Sequence, residues 1–272
     1  MEDDGVAPAT ADNEYRMIKT MFTMADDDDR INPACIKAFR GIRKASPKGA
    51  NVRKTTITLH ELRKIYESSD DMFQRILIIA LITGMRGGEI RGLTPNHTDM
   101  QRETDKTESG NSIQGWIKLG PDDTKEFRTK DNPKLIPITP TIGKALSDSP
   151  RHICTPHYFY TAEGKKILEF GIVSRMRSSC RRAGIPYGRK TPNGVTFHDI
   201  RRTTKTLMEK VGIRKSIRDA ILGHSANDMD RHYIHPSNED ITRAMLDFEA
   251  WLLQRWESCT PNCTPIERVS GE

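Results

Sequence analysis

Four short segments of this chain carry residues whose types and spacing suit chemistry on an anion. Arg231-His-Tyr233-Ile-His235 offers a phenol. A tyrosine is a poor nucleophile at its free pKa of about 10, so using it requires nearby cations or a base to stabilise the phenolate. Thr83-Gly-Met-Arg86-Gly-Gly-Glu89 places an arginine among three glycines, where a backbone can approach a ligand and a planar guanidinium can grip a phosphate with two bonds. Phe197-His198-Asp199-Ile200-Arg201-Arg202 reads as a helix start, with His198 at the amino end and Arg201 one turn in, both able to face an anion that the helix dipole favours. Leu222-Gly-His224-Ser225 is a helix stop followed by an imidazole. Each segment also has an ordinary reading: Arg86 paired with Glu89, a solvated helix start, a structural histidine, and a half-buried aromatic ring.

Taken in order the segments say more. Arg86 in T-G-x-R-x-G-E, His198-x-x-Arg201 in H-D-I-R-R, Leu-Gly-His224, and Tyr233 nine residues after His224 together resemble the tyrosine recombinase, or phage integrase, family over roughly residues 56–236. The resemblance implies a mainly α fold with a small inserted antiparallel β-sheet, and an enzyme that cuts and rejoins DNA through a covalent 3′-phosphotyrosine with release of a 5′-hydroxyl. It implies Tyr233 as nucleophile, Arg86 and Arg201 on the non-bridging oxygens, His198 as phosphate ligand or proton acceptor, and His224 on the same oxygens. The family's lysine, which protonates the leaving oxygen from a hairpin, is best matched by Lys130, seven residues before Pro137, with Lys125 as the alternative. The implied task is site-specific recombination by a phage or mobile-element integrase. Its implied partners are double-stranded DNA and further copies of itself, a tetramer on paired sites. No cofactor, metal or membrane is implied. Two other functions share these residues: relaxation of DNA in the manner of a type IB topoisomerase, and binding by an inactive remnant of a mobile element. Asp230 departs from the family, which often has a threonine there, and sets an acid near the nucleophile.

The elements that must position these residues can be sketched from periodicity. Thr58-Leu-His-Glu61 is a capping-box pattern that opens a helix to about Ser68, and Asp71 opens a helix, apolar nearly all round, that stops at Gly84. Gln114 to Leu119 and Lys134 to Ile138 read as two strands of a small antiparallel sheet. Helices follow at about 140–147, 167–182, 199–210, 215–222 and 237–256. The last has Ile241, Met245, Phe248 and Leu252 at helical spacing, a face for its own domain or for a partner. Ahead of these, residues 1–13 are aperiodic, a helix is expected from Glu14 to about Met24 and a short one within 33–44, and residues 45–54 read as a basic linker. Together with these elements, the resemblance implies 1–55 as an acidic lead and the remnant of a helical DNA-binding domain with its linker, 56–256 as the catalytic domain, and 257–272 as a flexible tail.

Composition bounds the rest. The 272 residues are 35% hydrophobic and 29% charged, which suits a globular chain and excludes wholesale disorder. No apolar run is long enough to span a bilayer, and the acidic start is unlike a signal peptide, so an intracellular chain is expected; the resemblance implies a cytoplasmic protein, prokaryotic or phage-encoded, working at the nucleoid. Five scattered cysteines suit reduced thiols. His152, Cys154, His157 and Cys180 do not have a recognised zinc spacing. The net charge of +6 is uneven: residues 1–30 hold nine acids against three bases, a balance of −6, which leaves +12 on the remainder (40 basic less 28 acidic). Such an excess points to a polyanionic partner, nucleic acid foremost.

Overall fold

The computed structural model describes residues 8–39, 42, 46, 55–100, 113–123, 133–223 and 236–258. The chain divides into two compact units, Met1–Lys54 and Thr55–Glu272.

In the first unit, α1 (Pro8–Asp27) precedes the single turn α2 (Ala34–Lys37). The helix begins six residues before the expected Glu14, and so residues 8–13 are not the aperiodic lead expected there. A proline costs nothing in a first turn, whose amides have no intrahelical acceptor, and the alanines that follow favour the helix. Tyr15 donates its hydroxyl to the Phe39 carbonyl at 2.6 Å, and the Phe22 and Phe39 rings lie 5.1 Å apart. Met17, Met21 and Met24 are exposed.

The second unit is mainly helical. Its first helix, α3 (Leu59–Glu67), opens on the capping box foreseen from Thr58 and Glu61: the Glu61 amide donates to Thr58 Oγ1 at 3.1 Å, and the Thr58 amide to Glu61 Oε2 at 2.9 Å. Asp70 caps α4 (Asp71–Thr83) by accepting from the Phe73 amide. This helix is the centre of the core, with Phe73, Ile76, Ile79 and Ile82 wholly buried, as its lack of a polar face required. After α5 (Gly87–Gly92) comes a three-stranded antiparallel sheet, β1 (Thr98–Met100), β2 (Gly115–Leu119) and β3 (Lys134–Pro137), in that order. Ile117 sits opposite both Thr98 and Ile136, and Leu119 opposite Lys134. The sheet has one strand more than the sequence suggested.

Among the described residues, five further helices follow: α6 (Pro140–Ser147), α7 (Glu169–Arg182), α8 (Phe197–Lys210), α9 (Lys215–Leu222) and α10 (Asn238–Ser258). Thr204 of α8 donates to the Leu81 carbonyl at 2.9 Å, stitching α8 to α4. The apolar face of α10 is committed to its own unit: Ile241, Met245, Phe248 and Leu252 are buried, and the helix packs on α3, α4, α9 and β3. That face is therefore not the partner surface allowed for it above. Among the described residues, no helix is long and apolar enough to cross a membrane.

Candidate active site

The site is assembled where two helices end and two begin. Helix α4 ends on Gly84 in the left-handed conformation (φ 63°), its amide donating to the Ala80 carbonyl. A Cβ at that position would run into the buried Leu222 side chain at the end of α9, so the two helix ends meet only because residue 84 is glycine. Gly87 is packed in the same sense, with the Phe197 ring 3.2 Å from where a Cβ would stand, whereas Gly88 faces open space. Of the three glycines around Arg86, two serve packing and one borders open space.

Arg86 lies directly before α5, and its backbone amide donates to Glu89 Oε2 at 3.0 Å while Nη1 donates to Glu89 Oε1 at 3.1 Å. The pairing of Arg86 with Glu89 read from the sequence is thus present, and the Arg86 side chain retains 26% exposure. Glu89 is itself buried and takes a further bond from Lys134 Nζ at 3.0 Å. Burial alone would push the Glu89 carboxyl up; the charge and hydrogen bond of Lys134, then the amide and charge of Arg86, outweigh it and hold the group below its ordinary value. Lys134 also donates to the Leu222 carbonyl at 3.2 Å.

Arg201 converges on the same place from α8. Its Nη2 donates to the Leu222 carbonyl at 2.6 Å and its Nη1 to the Gly84 carbonyl at 2.8 Å, so the guanidinium is locked against both helix ends. His198 stands in the first turn of α8, whose start is fixed by Asp199 Oδ2 accepting from the Thr196 amide and hydroxyl, both at 2.8 Å. Partial burial depresses the His198 pKa, and the positive charges of Arg202 and Arg201 depress it further, while Asp199 opposes them. The imidazole is therefore neutral at pH 7, with a lone pair to receive a proton.

Arg86, His198 and Arg201 line one cavity of about 330 Å3, together with Arg202, Lys205 and Leu222. A larger cleft of about 870 Å3 shares Arg86 and His198 and continues past Arg91, Lys166, Arg177 and Arg189. Three of the predicted catalytic residues are thus brought together. The other three, Lys130, His224 and Tyr233, lie outside the described residues, as do Lys125 and Asp230. Leu222, two residues before His224, borders the small cavity, and Gly223 ends α9 in the left-handed conformation. The basic residues of the cleft and the buried Lys134 were not singled out from the sequence. Lys134 opens an apolar run, Lys-Leu-Ile-Pro-Ile, where a charge ordinarily marks a solvated strand end.

The residues considered as metal ligands have other engagements. The Cys154 amide donates to His152 Nδ1 at 3.1 Å, and burial raises the Cys180 thiol to about 12. Among the described residues, no group of three His, Cys, Asp or Glu side chains could hold an ion.

Similarity to known proteins bears on the whole arrangement. The model of the phage integrase family matches residues 55–240. Among solved structures, a lambda integrase dimer bound to a COC′ core site is similar at 17% identity with a TM-score of 0.57, over 85% of this chain and 77% of that one. The Tn1549 transposon integrase in complex with transposon right end DNA is similar at 19% identity with a TM-score of 0.56, over 92% and 82%. A lambda integrase tetramer bound to a Holliday junction matches at 17% identity with a TM-score of 0.55, over 86% of this chain and 63% of that one. The chain thus spans about 63% of the length of that integrase. These likenesses establish the fold: mainly helical, with a small antiparallel sheet. No curated protein matches the chain in sequence.

Proposed function

The chain belongs to the phage integrase family, the site-specific tyrosine recombinases that cut and rejoin DNA, and from that premise we propose how its residues divide the reaction. Arg86 and Arg201 hold the non-bridging oxygens of the scissile phosphate and stabilise the charge that develops as it becomes five-coordinate. His198, neutral in its pocket, takes the phenol proton of Tyr233. The tyrosine oxygen forms its bond to phosphorus as the bond to the 5′ oxygen breaks, and Lys130, or Lys125, gives that oxygen its proton. His224 hydrogen-bonds the phosphate beside the arginines. Rejoining runs the same step backwards with another 5′-hydroxyl, so the number of phosphoester bonds is conserved.

The observation that carries this reading is the convergence of Arg86, His198 and Arg201 on one cavity large enough for a phosphodiester. The cleft beyond it, with Lys166, Arg177 and Arg189 along its wall, suits the flanking backbone of duplex DNA. Residues 56–256 act as the catalytic domain. The integrases matched above are bound to DNA as a dimer and as a tetramer; we assign this chain a DNA substrate, a tetrameric assembly on paired sites, and a prokaryotic or phage-encoded role at the nucleoid.

The test is a library of nicked duplexes with randomised sequence around the nick, incubated in EDTA, denatured, and captured through protein-linked strands. The expected result is a covalent adduct that Tyr233→Phe abolishes. An adduct surviving in that variant refutes the nucleophile, and none with the wild type makes the chain a DNA-binding remnant. On the captured sequence, a 5′-bridging phosphorothiolate restores cleavage to Lys130→Ala but not to Arg201→Ala. Restoration in Lys125→Ala alone moves the acid to Lys125.

A further inference from the structure

Lys134 lies between two acceptors that also hold the arginines of the small cavity, the Glu89 carboxylate and the Leu222 carbonyl. It is 1% exposed, at the first position of β3, and its ammonium lies 3.0 Å from Glu89 Oε2 and 3.2 Å from the Leu222 carbonyl. Burying an ammonium is costly, and a buried ion pair is often no more stabilising than a pair of apolar side chains in its place. What the charge supplies is geometry. Through Glu89 it reaches Arg86, whose Nη1 and backbone amide both rest on the same carboxylate. Through the Leu222 carbonyl it reaches Arg201, which shares that acceptor, and α9, whose last residue this is.

We propose that Lys134 is a positioning residue for strand cleavage, setting from inside the protein the alignment of Arg86 and Arg201 on the phosphate. It is not the acid for the leaving oxygen, because its ammonium is turned inward onto two protein acceptors. The inference rests on the cleavage reaction proposed above.

Its test compares Lys134→Met, an unbranched apolar replacement of similar length, with the wild type on the captured nicked substrate in single turnover at saturating DNA. Misplacing a clamp by about 1 Å costs on the order of 10²-fold in rate, and that loss is expected in adduct formation, with DNA affinity held within about 3-fold. The distinguishing arm replaces the scissile phosphate by a methylphosphonate, which has one negative charge fewer and so leans less on the arginines. The penalty of Lys134→Met is expected to shrink there to less than about 10-fold, and to persist on the 5′-bridging phosphorothiolate. An equal penalty on phosphate and methylphosphonate means a merely structural lysine and overturns the proposal. Rescue by the phosphorothiolate overturns it in favour of an acid, and an undiminished rate overturns it outright. Should Lys134→Met fail to fold, Lys134→Arg, which keeps the charge and changes its reach, is read on the same three substrates with the same outcomes. A wild type that forms no adduct fails the recombinase reading instead.

Discussion

His198 shows how surroundings choose a role for a side chain. Burial and the neighbouring arginines keep its pKa below the ordinary value, so it remains a base at pH values where a free imidazole, with its pKa of about 6.5, is already half protonated. The acidic limb of single-turnover cleavage is therefore expected to lie at lower pH than a free imidazole would set it. In His198→Gln that acidic limb disappears and the plateau drops by on the order of 10²-fold. Stability moves with the same sign: as pH falls through about 6.5, the unfolded chain binds the proton before the folded one does, and the fold loses stability that His198→Gln retains. Thermal melting of both proteins between pH 5 and 8 checks this. Arg86, His198 and Arg201 were legible in the sequence because their chemistry lies in residue type and order. Lys134 was not. Its partners are 45 and 88 residues away, and only the fold makes its charge internal.

At the scale of elements, signals written within a few residues were legible and those written across the chain were not. The capping box at Thr58 and the left-handed stop at Gly84 are local, and both helices start and stop close to where these residues indicate. Strand β1 is three residues of mixed polarity, Thr-Asp-Met, with no alternation of its own to read; it is a strand because β2 lies beside it. The proline-led first turn of α1 was likewise hidden in an aperiodic stretch. Gly84 carries the element-scale prediction. Gly84→Ala must place a Cβ in a left-handed residue and against Leu222, a strain of order 1–3 kcal/mol, so denaturant unfolding should show a loss of about that size. Because the displaced neighbour is the residue whose carbonyl receives Arg201, cleavage should fall more steeply than the folded population does.

The molecule as a whole is a modestly basic chain whose charge is unevenly spent. The residues after the first thirty carry +12, and the cleft running out from Arg86 and His198 is bordered by Arg91, Lys166, Arg177 and Arg189. Logarithmic affinity for duplex DNA is expected to fall linearly with logarithmic salt concentration. Lys166→Ala and Arg189→Ala should each lower that slope by about 1, weakening all sequences alike; fluorescence anisotropy across a salt series measures both effects, and an unchanged slope removes the residue from the DNA path. The overall balance was visible in composition, whereas the meeting of these four basic residues along one cleft, among Asp122, Asp123 and Glu169, depends on segments far apart in the chain. The burial of α10 in its own unit has a consequence of another kind. Gly223, which ends α9, and Asn238, which opens α10, are both fixed in the unit that holds Arg86 and Arg201. Any group carried on the chain between them is covalently confined near one unit, so local concentration, more than affinity, would govern what it meets.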